Sequence, residues 1–392
     1  MTDGIFTIAH RDATSKARAG ILHTKSGDVE TPFFMPVATK TAVKHISSED
    51  LESMNARAII CNAFVIAMRP GVKIVQNFGG IAKFMAFPGV IFTDSGGFQM
   101  YSPRLYLGSK EDGVCFRNPY SGEEVFMTPE SNMELQLALN SDVAMCLDTM
   151  PLMSESKESV AEAVRKTTLW AKQCKRHHDE QQKTLPFEKR QRLFGIIQGG
   201  IHPDLRELSA RQLTALDFEG YSIGGLALGE PKKDEYTMIE IAKSYIPENK
   251  PVYLMGAGNP PELIEAISRG IDIFDSRFPT QNARRGTLFT NNGFLRITNS
   301  PYKEDSSPID PLCSCFVCKR YSRAYIRHLL HREEGVGFQL ASYHNLYFLQ
   351  ELMRRARIAI QEGKFMQLKE EITKSYESSN QSKTRPCIEN CV

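Results

Sequence analysis

The stretch RLFGIIQGGIHPDLRELSARQLTALDFEGYSIGG, residues 192–225, contains two short apolar runs separated by a longer segment. The runs LFGIIQG and GYSIGG have the length and the branched residues of buried strands. Between them, LRELSARQLTAL spaces its apolar residues as one face of a helix does. A helix between two buried strands is typical of a parallel β-α-β unit. The stretch therefore predicts an α/β fold.

The same alternation of strand and helix continues on both sides of this unit. We predict eight strands between residues 31 and 277, at TPFFMPVA, RAIICNA, GVIFTDSG, VAMCLD, LFGIIQG, GYSIGG, PVYLMGAG and IDIFDSR. Eight parallel strands with helices between them favour closure into a (β/α)8 TIM-like barrel. The alternative is an open doubly wound sheet, but no G-x-G-x-x-G motif follows the first strand.

Four segments are expected along the chain. Residues 1–30 form an N-terminal extension or hairpin, 31–295 the barrel, 296–365 a zinc-binding module with a closing helix, and 366–392 a flexible tail. The tail is assigned because its composition is polar. Its Cys387 and Cys391 are interpreted as surplus thiols, with metal binding as the alternative.

The composition limits the class of protein. Of the 392 residues, 41% are hydrophobic and 24% charged, and no apolar run approaches the roughly 20 residues that span a bilayer. The N-terminus lacks a basic stretch followed by an apolar core, so we expect a cytoplasmic protein whose nine cysteines are reduced or metal-bound. The formal net charge is only +2, so a nucleic-acid site must be a local patch.

Two carboxylates stand at strand ends that face each other in a closed barrel. Asp94 ends the third strand and Asp275 the eighth, at the rim where barrel enzymes carry their active sites. One such carboxylate can attack an anomeric carbon while the other protonates the leaving group and later deprotonates the incoming one. The alternative is that one of them caps a helix or pairs with a cation such as Arg277.

Glycine-rich turns beside these carboxylates indicate a slot for a flat ligand. The turns DSGGFQ, IIQGG and IGGLALGE leave backbone amides and carbonyls open, and Asp148 and Gln198 offer an acceptor and an amide. A purine-like base fits such a slot. Glycine turns are also common structural punctuation, so each turn alone is weak evidence.

Three cysteines and a histidine predict a metal centre. Cys313, Cys315 and Cys318 form C-x-C-x-x-C, and His344 follows in ASYHNL. Three thiolates and one imidazole make a closed tetrahedral zinc shell, so we expect one structural Zn²⁺. His328 and His331 are the alternative fourth ligands.

Basic residues cluster on three predicted helices. Phosphate binding is the functional interpretation and a solvated helix face is the favoured alternative. The clusters are Arg320, Arg323, Arg327 and Arg332; Arg354, Arg355 and Arg357; and Lys172, Lys175 and Arg176.

Several motifs in the same order closely resemble the tRNA-guanine transglycosylases of the bacterial and eukaryotic queuine type. They are TPFFMPVAT, DSGGFQ, FGIIQGG, GYSIGGLALGE, YLMGAGNP, GIDIFDSRFPTQNARRG and the C-x-C-x-x-C…H set, and the resemblance runs from about residue 5 to 365. It implies an enzyme that exchanges guanine at the anticodon wobble position for a 7-deazaguanine base, through a covalent RNA–enzyme intermediate. It further implies a homodimer acting on tRNAs of the Asn, Asp, His and Tyr type, whose anticodons begin with guanine and uridine.

The resemblance also implies roles for individual residues. Asp275 is the expected nucleophile and Asp94 the expected general acid and base. The expected base-binding residues are Ser95, Gly96, Gly97, Phe98, Asp148, Gln198, Gly225, Leu226 and Met255. The expected tRNA-binding residues are Gly256, Ala257, Gly258, Asn259, Pro260, Pro261, Glu262 and Leu263, together with the anticodon-reading Thr280, Gln281, Asn282, Ala283 and Arg284.

This chain departs from the family pattern at several positions. Gln281 stands where the family has arginine, so it brings no fixed charge to the anticodon loop. Asp148-Thr149-Met150 replaces a bacterial D-E-C, Val65 replaces histidine, and Leu228 replaces valine. Both 7-aminomethyl-7-deazaguanine and queuine remain candidates for the inserted base.

Two rival functions use some of the same features. A glycoside hydrolase would use paired carboxylates but expects aromatic platforms for sugar rings, and the chain has one Trp. A non-catalytic tRNA-binding partner subunit would keep the zinc module while losing a carboxylate. Both Asp94 and Asp275 are present, which favours catalysis.

Overall fold

The structure is a computed structural model that describes residues 4–96, 105–150 and 155–381. Its strands are β1 (Phe6–Arg11), β2 (Arg18–Thr24), β3 (Gly27–Thr31), β4 (Phe33–Pro36), β5 (Ala58–Asn62), β6 (Val90–Asp94), β7 (Tyr106–Lys110), β8 (Gly113–Arg117), β9 (Glu124–Met127), β10 (Val143–Met145), β11 (Arg192–Ile197), β12 (Gly220–Ile223), β13 (Val252–Leu254), β14 (Ile273–Ser276), β15 (Thr287–Thr290) and β16 (Gly293–Arg296).

The helices of the described residues lie mostly between these strands. They are α1 (Ser48–Ser53), α2 (Ala63–Met68), α3 (Val72–Asn77), α4 (Ile81–Met85), α5 (Pro129–Leu139), α6 (Lys157–Gln182), α7 (Pro203–Thr214), α8 (Lys232–Tyr245), α9 (Pro260–Ser268), α10 (Phe278–Arg284), α11 (Phe316–Arg320), α12 (Arg323–His331), α13 (Gly335–Gln361) and α14 (Phe365–Gln381).

Eight parallel strands form a closed barrel, as the sequence predicts. Their order is β4-β14-β13-β12-β11-β10-β6-β5. A parallel bridge between Val37 and Ile60 joins the two ends, and the Ala38 amide donates to the Ile60 carbonyl at 2.7 Å. The (β/α)8 prediction is therefore confirmed, and the open doubly wound alternative is wrong.

Apolar side chains fill the barrel interior. Phe92 lies at its centre, with its ring centroid 6.2 Å from that of Phe33, 5.8 Å from that of Phe194 and 6.3 Å from that of Tyr253. Short strands of branched and aromatic residues that are buried on both faces are what a parallel barrel requires. The interior is therefore a packed core, and chemistry is confined to the rim.

The antiparallel sheet β1-β2-β3 covers the amino ends of the barrel strands. Its Phe6 and Leu22 pack in the same apolar cluster as Phe33. A buried ion pair fixes it in place, because the Arg18 guanidinium donates to Asp272, just before β14, at 2.8 and 2.6 Å. This sheet closes one end of the barrel and leaves the carboxyl ends of the strands open.

The prediction of a flexible tail from residue 366 is wrong for the part that the structure describes. Helix α14 spans Phe365–Gln381 and buries Phe365, Leu368, Ile372 and Tyr376. These residues recur every three or four positions, so they form one apolar stripe within a polar segment. The Tyr376 ring packs edge-on against Phe294 of β16 at 4.9 Å. Cys387 and Cys391 lie outside the described residues.

In the described parts of the chain, no helix is both long enough and apolar enough to cross a membrane.

Candidate active site

The two predicted catalytic carboxylates end strands of the barrel and lie close enough to influence each other. Asp94 ends β6, where Asn62 Nδ2 donates to its Oδ2 at 3.3 Å and the Ser95 and Gly96 amides also donate to it. Burial first, and then repulsion by Asp148 and Asp275, raise the pKa of Asp94 to about 7. Its carboxyl group therefore exchanges a proton near neutral pH.

One oxygen of Asp275 is fixed by two donors. The Tyr253 hydroxyl donates to Asp275 Oδ1 at 2.6 Å, and the Gly256 amide donates to the same oxygen at 2.9 Å. Burial raises the pKa of Asp275, while these donors and nearby Arg277 lower it. No ion pair joins Asp275 to Arg277 among the described residues, so the carboxylate is not occupied by that cation.

A polar slot lies beside the carboxylates. Gln198 Nε2 donates to Asp148 Oδ2 at 2.7 Å, and Ser95 also donates to Asp148, whose pKa burial raises to about 6. A side chain at Gly225 would place its Cβ 2.6 Å from Gln198 Oε1, and Gly225 has φ +68°. Glycine is therefore required here for Gln198 to lie flat against the turn.

The loop after β12 is held by a buried acid. Glu230 Oε1 accepts from the Ala227 amide at 2.6 Å and Glu230 Oε2 from the Leu228 amide at 2.9 Å. Leu226 is buried in this loop, whereas Leu228 is 39% exposed. Glu230 thus sets the backbone that forms one wall of the slot.

The remaining predicted pocket residues are placed as follows. Met255 is half-buried against the barrel core, and Gly96, with φ +91°, lies so close to Phe64 that a Cβ would approach its side chain to 2.2 Å. Thr149 is buried, and Thr167 Oγ1 accepts from its amide at 3.1 Å. Gly97 and Phe98 lie outside the described residues.

The two predicted tRNA-binding segments flank Asp275, but their side chains differ in exposure. In the first, Gly256 is exposed, Asn259, Pro261 and Glu262 are half-buried, and Ala257, Gly258, Pro260 and Leu263 are buried. In the second, helix α10, Gln281, Asn282 and Arg284 are half-buried, and Thr280 and Ala283 are buried. The buried members can reach a ligand only through their backbone.

The predicted metal ligands converge. The Sγ atoms of Cys313, Cys315 and Cys318 lie 3.8, 3.5 and 3.4 Å from His344 Nδ1, and all four ligand atoms lie within 4.8 Å of one another. A tetrahedral shell with Zn–S and Zn–N bonds of about 2.3 and about 2.0 Å separates its ligands by about 3.6 Å. The four residues fit a metal ion of this size.

A second interaction prepares the histidine for metal binding. His344 Nε2 lies 2.7 Å from the Phe289 carbonyl, so Nε2 carries the hydrogen and Nδ1 is left free to ligate. His331 Nε2 instead contacts the Thr298 carbonyl at 3.2 Å. The choice of His344 over His328 and His331 as the fourth member of the cluster is confirmed.

Sequence reasoning missed two residues that shape the site. Tyr253 lies within the apolar run of β13, and its hydroxyl was the only polar signal there. Arg206 of α7 is fully buried and donates to the carbonyls of Ile197, Gly200 and Gly224. In the sequence, Arg206 has the position of an ordinary surface residue of an amphipathic helix, so nothing there indicates its role.

Comparisons with known proteins agree with the resemblance. The family model "Queuine tRNA-ribosyltransferase" matches residues 12–378. The queuine tRNA-ribosyltransferase of Pelotomaculum thermopropionicum is 43% identical over 372 residues, which are 95% of this chain and 98% of the relative. That of Lysinibacillus sphaericus is 46% identical over 371 residues, 95% and 96% of the two chains. This chain belongs to the queuine tRNA-ribosyltransferase family.

Proposed function

We propose that this enzyme exchanges guanine at the anticodon wobble position of tRNA for a 7-deazaguanine base, in queuosine modification. The observation that carries the proposal is the convergence of two half-buried carboxylates, Asp94 and Asp275, beside a polar slot for a flat base. The family to which the chain belongs supports tRNA-guanine transglycosylation.

The geometry suits a double displacement. Tyr253 and Gly256 occupy Oδ1 of Asp275, so the other oxygen attacks C1′ of the target nucleotide. The bond between C1′ and guanine N9 breaks as the bond between Asp275 and C1′ forms. Asp94, whose pKa is about 7, gives its proton to the departing guanine.

The second half-reaction reverses these roles. The Asp94 carboxylate removes the proton from N9 of the incoming base, and that nitrogen attacks C1′ and displaces Asp275. Two inversions at C1′ give net retention. Asp94 is protonated again at the end of the cycle, because it takes from the incoming base a proton that replaces the one it donated to guanine.

Recognition of the base falls to the slot. Asp148 offers a carboxylate oxygen and Gln198 an amide to the guanine-like edge, and Gln198 Oε1 has no partner among the described residues. Ser95, Gly96 and Gly225 supply backbone polar groups, and Leu226 and Met255 supply apolar surface. We also assign Gly97 and Phe98 to this slot on the resemblance.

Recognition of the RNA falls to the segments on either side of Asp275. Residues 256–263 form one contact surface, and residues 280–284 read the anticodon. The preferred substrates are tRNAs of the Asn, Asp, His and Tyr type. Gln281 contributes a neutral amide to anticodon recognition, so Arg284 supplies the positive charge of the segment 280–284.

A single structural Zn²⁺ is the metal that the cluster fits best. Three thiolates and one imidazole fill a tetrahedral shell and leave no position for water or substrate. The ion would tie the loop 313–318 to helix α13. Its role is therefore the stability of the C-terminal module.

The enzyme acts as a homodimer in the cytoplasm, where tRNA is modified. Apolar side chains project from the C-terminal module, where Leu312 is 73%, Phe316 40% and Tyr325 44% exposed. Such groups are candidates for burial against a second copy.

Guanine exchange tests the proposed function. The protein is incubated with radiolabelled guanine and unmodified tRNA, and label in the RNA is counted. Incorporation that requires guanine at the wobble position supports transglycosylation. No incorporation, together with retained tRNA binding, would favour the partner-subunit reading instead.

A further inference from the structure

Six of the ten cations in the three helical clusters that the sequence offers as phosphate-binding surfaces pair with acids in the structure, and the other four have no carboxylate oxygen within 4.0 Å among the described residues. Arg354 pairs with Glu351, Arg355 with Glu371 and Arg357 with Glu30. In the other two clusters, Arg323 pairs with Asp305, Lys175 with Asp179 and Arg176 with Glu130. Cations that are already paired offer little attraction to RNA.

A different group of cations has no acidic partner. Lys40, Lys44, Arg277 and Arg285 are exposed, and none has a carboxylate oxygen within 4.0 Å among the described residues. The Nη1 atom of Arg284, on α10, is buried and has no hydrogen-bond partner among the described residues. A buried N–H donor without a partner costs free energy unless a ligand accepts its hydrogen bond.

These cations come from two neighbouring segments at the barrel mouth. Lys40 and Lys44 follow β4, and Arg277, Arg284 and Arg285 follow β14; the two strands pair in parallel, with Asp275 opposite Met35. The segments approach closely enough for Arg284 to add to burial in lowering the pKa of His45, which lies next to Lys44. Both segments therefore leave the barrel at neighbouring strand ends, one of which carries the proposed nucleophile Asp275, and Arg277 lies near its carboxylate.

The loop that carries the lysines is held in an unusual backbone conformation. Thr41 and His45 have φ of +59° and +66°, in the left-handed region that residues other than glycine rarely adopt. The His45 ring packs against Phe338 of α13, with centroids 5.4 Å apart. Strain of this kind is typical of loops that present side chains to a ligand.

We infer that the loop 37–47 and the segment 277–285 together form a phosphate-binding rim that grips the tRNA backbone on either side of the target nucleotide. The inference rests on the proposed function and names five cations, of which only Arg284 belongs to the predicted anticodon-reading segment. Arginine and lysine that face RNA phosphates release bound counterions, so binding through this rim must weaken with salt.

Affinity for unmodified tRNA, measured between about 50 and about 200 mM KCl, tests the rim. For the triple variant Lys40→Gln, Lys44→Gln, Arg285→Gln we expect the slope of log K against log salt to fall by about 2, at about 0.7 per lost contact with single-stranded RNA. The KM for tRNA should rise at least about tenfold. The single variants Lys40→Gln and Lys44→Gln should each show about a third of the slope change. They keep the test valid if the triple variant does not fold.

The matched control is Lys172→Gln, which removes an exposed, unpaired charge from α6. This helix follows β10, far around the barrel from β4 and β14. An unchanged slope in the triple variant, or an equal change in the control, overturns the rim. Wild-type guanine exchange is measured in parallel: its absence, with the slope change present, refutes the proposed function and leaves the rim standing.

Discussion

At the scale of single residues, the hydroxyl of Tyr253 decides which oxygen of Asp275 can react. Its hydrogen bond to Oδ1 also stabilises the ionised carboxylate that an attack on C1′ requires. The same hydroxyl lies in the barrel interior, where burial raises the pKa of Tyr253 well above its usual value, so it remains a donor. We regard Tyr253 as a positioning residue.

The variant Tyr253→Phe tests this role. A hydrogen bond to a charged group is worth about 1.5–3 kcal/mol, so we expect kcat to fall by about 10- to 100-fold. The hydrogen bond from Tyr253 lowers the pKa of Asp275, so its removal should raise that pKa. The acidic limb of the pH–rate profile should therefore move to higher pH. Tyr221→Phe is the control, since Tyr221 is equally buried but lies at the amino end of β12. An unchanged kcat with an unmoved acidic limb would show that the ring of Tyr253 only fills space and that its hydroxyl has no positioning role.

The raised pKa of Asp94 gives a second residue-scale prediction. The first half-reaction needs protonated Asp94, so its rate should decline as pH rises through about 7, and Asp94→Asn should abolish exchange. Stability should fall over a similar range of rising pH. Since the pKa of Asp94 is higher in the folded than in the unfolded state, the free energy of unfolding should decrease as pH rises from about 4 to about 7, by at most about 4 kcal/mol.

Thermal unfolding at two pH values checks the stability claim. Asp94→Asn should raise the Tm relative to wild type at pH 8 and leave it nearly unchanged at about pH 4. An equal shift of Tm at both pH values would contradict the assigned pKa.

The positions of Asp94 and Asp275 could be predicted from the sequence because each directly follows an apolar run that can only be a barrel strand. Their pKa values could not, since these depend on how closely Asp94, Asp148 and Asp275 converge across the mouth. Tyr253 was missed for the same reason: its partner is 22 residues away along the chain.

At the scale of elements, the cluster of Cys313, Cys315, Cys318 and His344 brings a loop against a long helix. We expect about one zinc per chain, and we expect His344→Ala to lose the metal and to unfold the C-terminal module while impairing catalysis only indirectly. Elemental analysis and limited proteolysis measure the two effects. The control His331→Ala removes a histidine outside the cluster and should retain zinc. Protein purified without chelator that contains no zinc would refute the assignment.

The loop Leu226–Glu230 and the segment after β10 are expected to set base preference. Thr149 is buried and uncharged, and Leu228 presents apolar surface at the loop, so little here favours a compact primary ammonium. We predict substantial use of queuine beside 7-aminomethyl-7-deazaguanine. The ratio of kcat/KM for the two bases with one tRNA measures this preference. An advantage of the aminomethyl base above about a hundredfold, or about 2.7 kcal/mol, would exclude the prediction.

Elements were predicted well where apolar periodicity was strong, as in the eight barrel strands and helix α7. Helix α14 was missed because its apolar residues are few among polar neighbours. These are Phe365, Leu368, Ile372 and Tyr376, and the helix that carries them packs against β16 and α9. Local composition therefore indicated disorder where tertiary packing stabilises a helix.

At the scale of the whole molecule, the barrel separates stability from chemistry. The sheet β1-β2-β3 and the Arg18–Asp272 pair close the amino ends of the strands, whereas carboxylates, glycine turns and unpaired cations meet at the carboxyl ends. A net charge of +2 conceals this asymmetry, because acids pair with six of the ten cations in the outer helical clusters, whereas the five cations of the rim have no acidic partner among the described residues. Such a mouth fits a polyanion that must be held while one of its nucleotides reacts.

The most direct test of the whole account is to trap the covalent intermediate with tRNA in the absence of an incoming base. Wild-type protein should give an RNA adduct that survives a denaturing gel, and mass spectrometry of the digested adduct should place the ribose on Asp275. Asp275→Asn should give neither adduct nor exchange, because a neutral amide is a poor nucleophile. A tRNA adduct of Asp275→Asn that survives denaturation would contradict the account and make Asp94 the next candidate nucleophile.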